Sequence, residues 1–230
     1  MPGTSQVKRS TLRQQIADAL RDEVLAGRLP AGQQFTVKEM AEQYGVSATP
    51  VREALLDLCA QGLLDVEEHR GYRVHEFTIG DYRDMVEART LIVEGMFRRS
   101  VATAMDSTTP QALASVRRRA EEAERAARGG DLDILIGYDL RFWRELSGLV
   151  GNSYISGILE RVRVQSWVFS VPYLRRAPDL RGKLWAGHRE LVEAITRRDV
   201  KTAEEIVAAY NAHSLSLVDS LPGPRPAPAP

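Results

Sequence analysis

Residues 36–64, TVKEMAEQYGVSATPVREALLDLCAQGLL, leave the backbone little choice. Thr36 with Glu39 three residues on is a capping box, which satisfies two of the N–H groups that a helix start leaves unpaired. Behind it, Val37, Met40, Ala41 and Tyr44 share one helical face. Gly45-Val46-Ser47 breaks that helix, because glycine takes backbone angles other residues resist and Ser47 can cap a second helix. This second helix carries Pro50 in its first turn, where a missing N–H costs nothing. It buries Val51, Leu55 and Leu58 and turns Thr49, Arg52 and Glu53 outward. Two short helices about a glycine turn, the second with polar residues at its start, make a helix-turn-helix, which can enter a DNA major groove.

The flanking chain completes this unit. Ser10 or Thr11 caps a helix to about residue 26, with Leu12, Ile16, Leu20 and Val24 on one face, and a turn from Gly27 to Gly32 ends it. After Gly62 the period becomes that of strands. Leu64 and Val66 alternate with Asp65 and Glu67; Tyr72, Val74 and Phe77 mark a second strand region; the turn Glu68-His69-Arg70-Gly71 lies between. Three helices and a hairpin predict a winged helix over residues 7–76. Arg70, beside the tip glycine, could reach a groove or simply flank a packing hairpin.

Beyond residue 77 the pattern is helical throughout, so the fold class is mainly α, with an all-helical bundle over residues 78–221. Thr78 and Asp81 cap a helix to about residue 105. Thr109-Pro110 opens another, ending at Gly129-Gly130, and Asp131 caps the next, to about Gly151. Asn152 caps a fourth helix, interrupted near Val171-Pro172. A fifth spans about 178–198, in one piece or two, and Asp199 caps a sixth, to about residue 221. The tails, 1–6 and the proline-rich 222–230, predict extended, solvated chain.

Composition excludes several classes. Hydrophobic residues make up 43% and charged residues 27%, ordinary for a soluble globular protein. No apolar run is long enough to span a membrane, and the single cysteine, Cys59, cannot close an internal disulfide, so a cytoplasmic protein without a membrane partner is expected. The formal net charge is zero. DNA binding through bulk charge is therefore excluded; it must come from a few local basic contacts, doubled in a dimer.

At this point the residues carry a resemblance. LPAGQ (29–33), VSATPVREAL (46–55), GLL (62–64) and RGYRV (70–74) occur in an order that resembles the GntR family of bacterial transcription regulators. Arg89 with Glu94, Asp139 followed by Gly151-Asn152, HRELVEAI (188–195), Arg198-Asp199 and His213 resemble the helical effector-binding domain of its FadR-like branch. The resemblance implies a homodimer that binds a palindromic double-stranded DNA operator, usually as a repressor, and responds to a small molecule. It implies DNA contacts from Lys38, Ser47, Thr49, Arg52, Arg70 and Gly71. Arg52 suits a guanine or a phosphate, while Thr49 and the helix N–H groups suit a phosphate; equally, Arg52 could pair with Glu53 or Asp57. Family members often carry arginine where this chain has Ala48, so operator sequence does not transfer.

The bundle holds the candidate effector residues Arg89, Tyr138, Asp139, Trp143, His188 and His213. Asp139, His188 and His213 each lie on the apolar face of their helix, and two imidazoles with a carboxylate suit a divalent metal such as zinc or nickel. The resemblance implies a fourth ligand, a histidine, where this chain has Trp143, whose indole cannot ligate. Three readings stay open: a three-ligand metal site, a polar pocket without metal, or Asp139 paired to a histidine to satisfy buried groups. Arg89 points inward and could clamp an effector carboxylate or pair with Asp139. Arg161 and Arg163 could face in or out. A carboxylated metabolite is the expected effector, with an acyl thioester as the alternative. A metal-dependent enzyme built on the triad and a helical interaction module are the competing classes. No nucleophile or general-base motif supports an enzyme, and intact Thr49, Arg52 and Gly71 oppose the module.

Overall fold

Thr11 caps the first helix, α1 (Leu12–Leu25), with its hydroxyl accepting from the Gln14 N–H. The computed structural model describes residues 11–99 and 101–220, so both expected tails lie outside the described residues. The chain divides into two compact units, Met1–Glu76 and Phe77–Pro230.

In the first unit, α1 packs Ile16, Leu20 and Val24 against Val51, Ala54, Leu55 and Leu58 of α3 (Ala48–Ala60). Each fully buried aliphatic side chain contributes about 1.5–3 kcal/mol relative to exposure. Between them, α2 (Val37–Tyr44) starts on the expected capping box, with Glu39 N–H donating to Thr36 Oγ1 at 3.2 Å and Thr36 N–H to Glu39 Oε2 at 2.7 Å. Gly45 ends α2 at φ 64°. Ser47 takes the N-cap position of α3, but its side chain makes no capping hydrogen bond, contrary to expectation. Ser47, Ala48 and Thr49 are all exposed, so water can serve the first N–H groups of this helix.

The sheet has one strand more than its hairpin. β1 (Gln34–Phe35) pairs antiparallel with β3 (Gly71–Val74), which pairs with β2 (Leu64–Glu67), in the order β1-β3-β2. Two residues are too few to show an alternating pattern, and β1 was not foreseen. It explains Gly71: at φ 100°, a Cβ there would lie 2.5 Å from the Phe35 carbonyl oxygen. The second strand of the hairpin ends at Val74. Phe77, expected within it, instead packs on Tyr82, Val86 and Phe169 in the second unit.

That unit begins on a second reciprocal cap, Asp81 N–H to Thr78 Oγ1 and Thr78 N–H to Asp81 Oδ2. Helix then follows on either side of Ser100, which lies outside the described residues, as α4 (Ile79–Arg99) and α5 (Val101–Ser107). Then α6 (Pro110–Gly129) ends at Gly130 (φ 74°), and Asp131 caps α7 (Leu132–Gly148). Asn152 caps α8 (Ser153–Leu174), which runs through Pro172 without interruption. Pro172 stands two residues from the end, where buried Val171 and Leu174 hold the last turn although one backbone hydrogen bond is lost. The stretch expected to be helical from residue 178 is turns and loop up to α9 (His188–Thr196), with Gly182 at φ 71°. Asp199 caps α10 (Val200–Asp219) as expected. The main core joins Phe142, Trp143, Leu159, Leu191 and Ile206. Among the described residues no helix is long and apolar enough to cross a membrane.

Candidate functional site

In the first unit, Lys38, Ala48 and Arg52 border one shallow concavity between α2 and α3. Arg52 is exposed and forms no ion pair among the described residues; Asp57, its suggested partner, holds Arg13 at 3.1 Å. Lys38 reaches Glu42 at 3.9 Å, but both side chains are so exposed that the pair carries little energy. Ser47 and Thr49 stand exposed at the start of α3, beside N–H groups that can receive a phosphate. Arg70 is exposed at the wing tip, where His69 takes φ 60° and Arg70 N–H closes the turn on the Glu67 carbonyl at 3.0 Å.

In the second unit the central residue is Asp139, 2% exposed. Its Oδ1 accepts from Trp143 Nε1 at 2.9 Å and meets His188 Nε2 at 3.0 Å; its Oδ2 accepts from Trp167 Nε1 at 2.9 Å. Burial pushes this carboxyl up, yet the His188 hydrogen bond and charge, with Arg163 and Trp167, outweigh burial and hold it below its ordinary value. An ionised carboxylate only accepts, so His188 Nε2 donates, and Nδ1 has no partner among the described residues.

Asp139 borders a cavity of about 50 Å³, room for several waters or one small polar group. Arg89, Arg163, Tyr210, His213 and Ser214 share its wall. Arg89, 2% exposed, donates to Asn211 Oδ1 at 2.9 Å, Ser214 Oγ at 3.1 Å and Tyr210 Oη at 3.4 Å. Arg163, 4% exposed, donates to the same Tyr210 oxygen at 3.2 Å, and burial pulls its pKa down. Among the described residues neither guanidinium has an acid within ion-pair range, so the Arg89–Asp139 pair suggested by the sequence is not formed. Arg161 is exposed, which decides between the two arginines of α8.

Several site expectations need correction. Tyr138 is half-buried under Arg141, 5.0 Å from its guanidinium carbon, and does not line the cavity. Trp143 turns its ring toward a different cavity and only its N–H toward Asp139. The metal triad is not assembled: among the described residues no group of three His, Cys, Asp or Glu could hold an ion. The donor set explains why, since two indole N–H groups and His188 already occupy both oxygens of Asp139. The residues present therefore do not fit a metal. Trp167, Asn211 and Ser214 went unrecognised in the sequence; the spacing of Tyr210, Asn211 and Ser214 along one helix was the available signal.

His213 lines the cavity with Nε2 buried and without a partner among the described residues. Burial pulls its pKa below the ordinary 6.5, although a backbone hydrogen bond with Lys183 opposes this. A depressed folded-state pKa contributes stability that is complete above pH 6.5 and lost as the pH falls through the lower folded value. Urea unfolding should therefore show stability declining as the pH drops below 6.5. That part of the decline should vanish in His213→Gln, leaving the further loss at lower pH from Asp139, whose shift has the same sign.

A winged helix joined in the chain to a helical bundle with a cation-rich internal cavity defines a transcriptional regulator. The comparisons agree. Residues 12–74 match the bacterial regulatory proteins of the gntR family, and residues 84–213 match the FCD domain. The chain belongs to the GntR family, in the branch whose second domain is an FCD domain. The HTH-type transcriptional regulator McbR of Escherichia coli K12 is 34% identical over 142 residues, 62% of either chain. A probable D-xylose utilization operon transcriptional repressor of Paenarthrobacter nicotinovorans is 29% identical over 96% of this chain and 98% of its own. The solved structure of E. coli McbR/YncC superposes with a TM-score of 0.72 at 25% identity, over 92% of this chain and 99% of that one. These proteins are named as regulators of transcription.

Proposed function

We propose that the protein is a homodimeric repressor that binds a palindromic operator and is released by a small carboxylated metabolite held in the FCD cavity. The observation that carries the effector half is the charge of that cavity: two buried guanidiniums face one buried carboxylate. A buried excess of positive charge calls for an anion, and an arginine can hold a carboxylate through two parallel hydrogen bonds. Arg89 is the main clamp, with Arg163 and Tyr210 beside it and His213 Nε2 free to accept from a hydroxyl or N–H. The acyl thioester alternative is weakened by the small size of the cavity. Preferential binding to one placement of the winged helices shifts the dimer between operator-competent and incompetent states, and a coupling of about 1–3 kcal/mol changes affinity roughly 5- to 150-fold.

The DNA half rests on Arg52, exposed beside Lys38 and without an acid partner among the described residues, and on Ser47 and Thr49 at the helix start; Arg70 and Gly71 place the wing. Anisotropy titration against the DNA upstream of the protein's own gene tests it. Arg52→Ala should weaken operator binding by about 1–3 kcal/mol, roughly 5- to 150-fold, and relax specificity. Lys38→Ala should weaken all sequences alike and reduce the salt slope by about one. Binding by the wild type that is neither salt-sensitive nor sequence-preferring would sink the reading.

A further inference from the structure

The helical unit contains a second cavity, of about 90 Å³, distinct from the polar one. Met96 and Phe97 of α4, Met105 of α5, Leu159 of α8 and Leu191 of α9 supply apolar wall. Its two hydroxyl groups are spent on helix carbonyls, Thr108 Oγ1 on Ala104 and Ser147 Oγ on Arg144. Water would find almost nothing to bond there. One wall residue is charged. The Arg163 guanidinium, buried without an acid partner among the described residues, lies 4.1 Å over the Trp143 ring and lines both cavities.

We infer that this second cavity is a binding site for a short-chain aliphatic carboxylate, with its hydrocarbon in the apolar chamber and its carboxylate on Arg163. An apolar cavity of ~150 Å³ holds benzene. In proportion, this one takes about four carbons, and the flexible thioethers of Met96 and Met105 can adjust to the chain. A single guanidinium matches a monocarboxylate in charge and in its planar pair of acceptors. A phosphate brings more charge and hydration than one arginine in an apolar wall can offset. Because Arg163 serves both cavities, occupation here competes with any anion that reaches for it from the polar side.

Thermal melting of the full-length protein with pentanoate, pentan-1-ol and acetate separates the contributions of chain and charge. Pentanoate should raise the wild-type melting temperature by several degrees and bind at least about tenfold more tightly than either comparison compound. Ala104→Leu places an isobutyl group into this chamber from half-buried Ala104 on α5, which does not line the polar cavity; it should weaken pentanoate at least about tenfold. Arg163→Gln should bring pentanoate down to the level of pentan-1-ol. Equal wild-type responses to pentanoate and pentan-1-ol overturn the assignment without recourse to any variant, as does an unchanged pentanoate response in Ala104→Leu. Arg89→Gln, at a residue that lines the polar cavity and not this one, should keep the pentanoate shift while losing operator release by polar carboxylates. The two sites can thus fail independently.

Discussion

Asp139→Ala is expected to lower the unfolding free energy by about 3–5 kcal/mol, the usual cost of removing one partner from a buried charged pair. The carboxylate serves three buried donors, Trp143 Nε1, Trp167 Nε1 and His188 Nε2. Each orphaned donor costs about 1–3 kcal/mol, and water entering from the neighbouring cavity can recover part of that. Arg89 and Arg163 would also lose the only buried acid on their shared cavity wall among the described residues. Asp139→Asn should cost less, about 1–3 kcal/mol, since its carbonyl still accepts from one side while its amide opposes an indole N–H on the other. The chain's three tryptophans are Trp143, Trp167 and Trp185, and Trp185 lies 4.5 Å from the His188 ring, centroid to centroid. Indole fluorescence during urea unfolding therefore reports on this site. A loss below about 1 kcal/mol in Asp139→Ala would show that the three hydrogen bonds do not hold the bundle together.

Local chemistry decided how much of this was legible beforehand. Caps stood out: Thr11, Thr36, Thr109, Asp131, Asn152 and Asp199 each start the helix their residue type announces, because the side-chain bond to the backbone lies within one turn. Elements dependent on distant partners did not. β1 exists because β3 lies beside it. Pro172 is tolerated because Val171 and Leu174 are buried around it, which no local rule about proline encodes. In the site, the inward direction of Arg89, Asp139 and His188 was readable from apolar neighbours at helical spacing. Arg163 was not, because buried residues are spread around much of α8 and leave no clear polar face. The metal expectation failed for a related reason. Spacing placed three potential ligands on inner faces, but only tertiary structure shows that Trp143 and Trp167 direct their N–H groups at both oxygens of Asp139.

Gly71→Ala is expected to destabilise the first unit by about 2–6 kcal/mol and to abolish operator binding. Two separate costs contribute. The backbone at Gly71 sits at φ 100°, where a residue with a Cβ is strained by about 1–3 kcal/mol. The added methyl would also lie 2.5 Å from the Phe35 carbonyl oxygen and 3.3 Å from the Thr36 Cα, both backbone atoms that can yield only if β1 moves off β3. Overpacking of this kind costs about 1–3 kcal/mol. Moving β1 also disturbs Thr36, which caps α2, so strain in the wing reaches the helix that carries Lys38. Hydrogen exchange read out by mass spectrometry resolves this directly: peptides spanning β1 and β3 should exchange roughly 30- to 25,000-fold faster, at about 1.36 kcal/mol per decade. His69→Gly, in the turn before Gly71 and also at positive φ, supplies the contrast. There the gain in backbone freedom offsets the relieved strain, so the change should stay within about 0.5 kcal/mol and leave exchange in β1 unaltered. Operator binding that survives Gly71→Ala with normal exchange in β1 would mean that the close approach of Phe35 is not what requires glycine there.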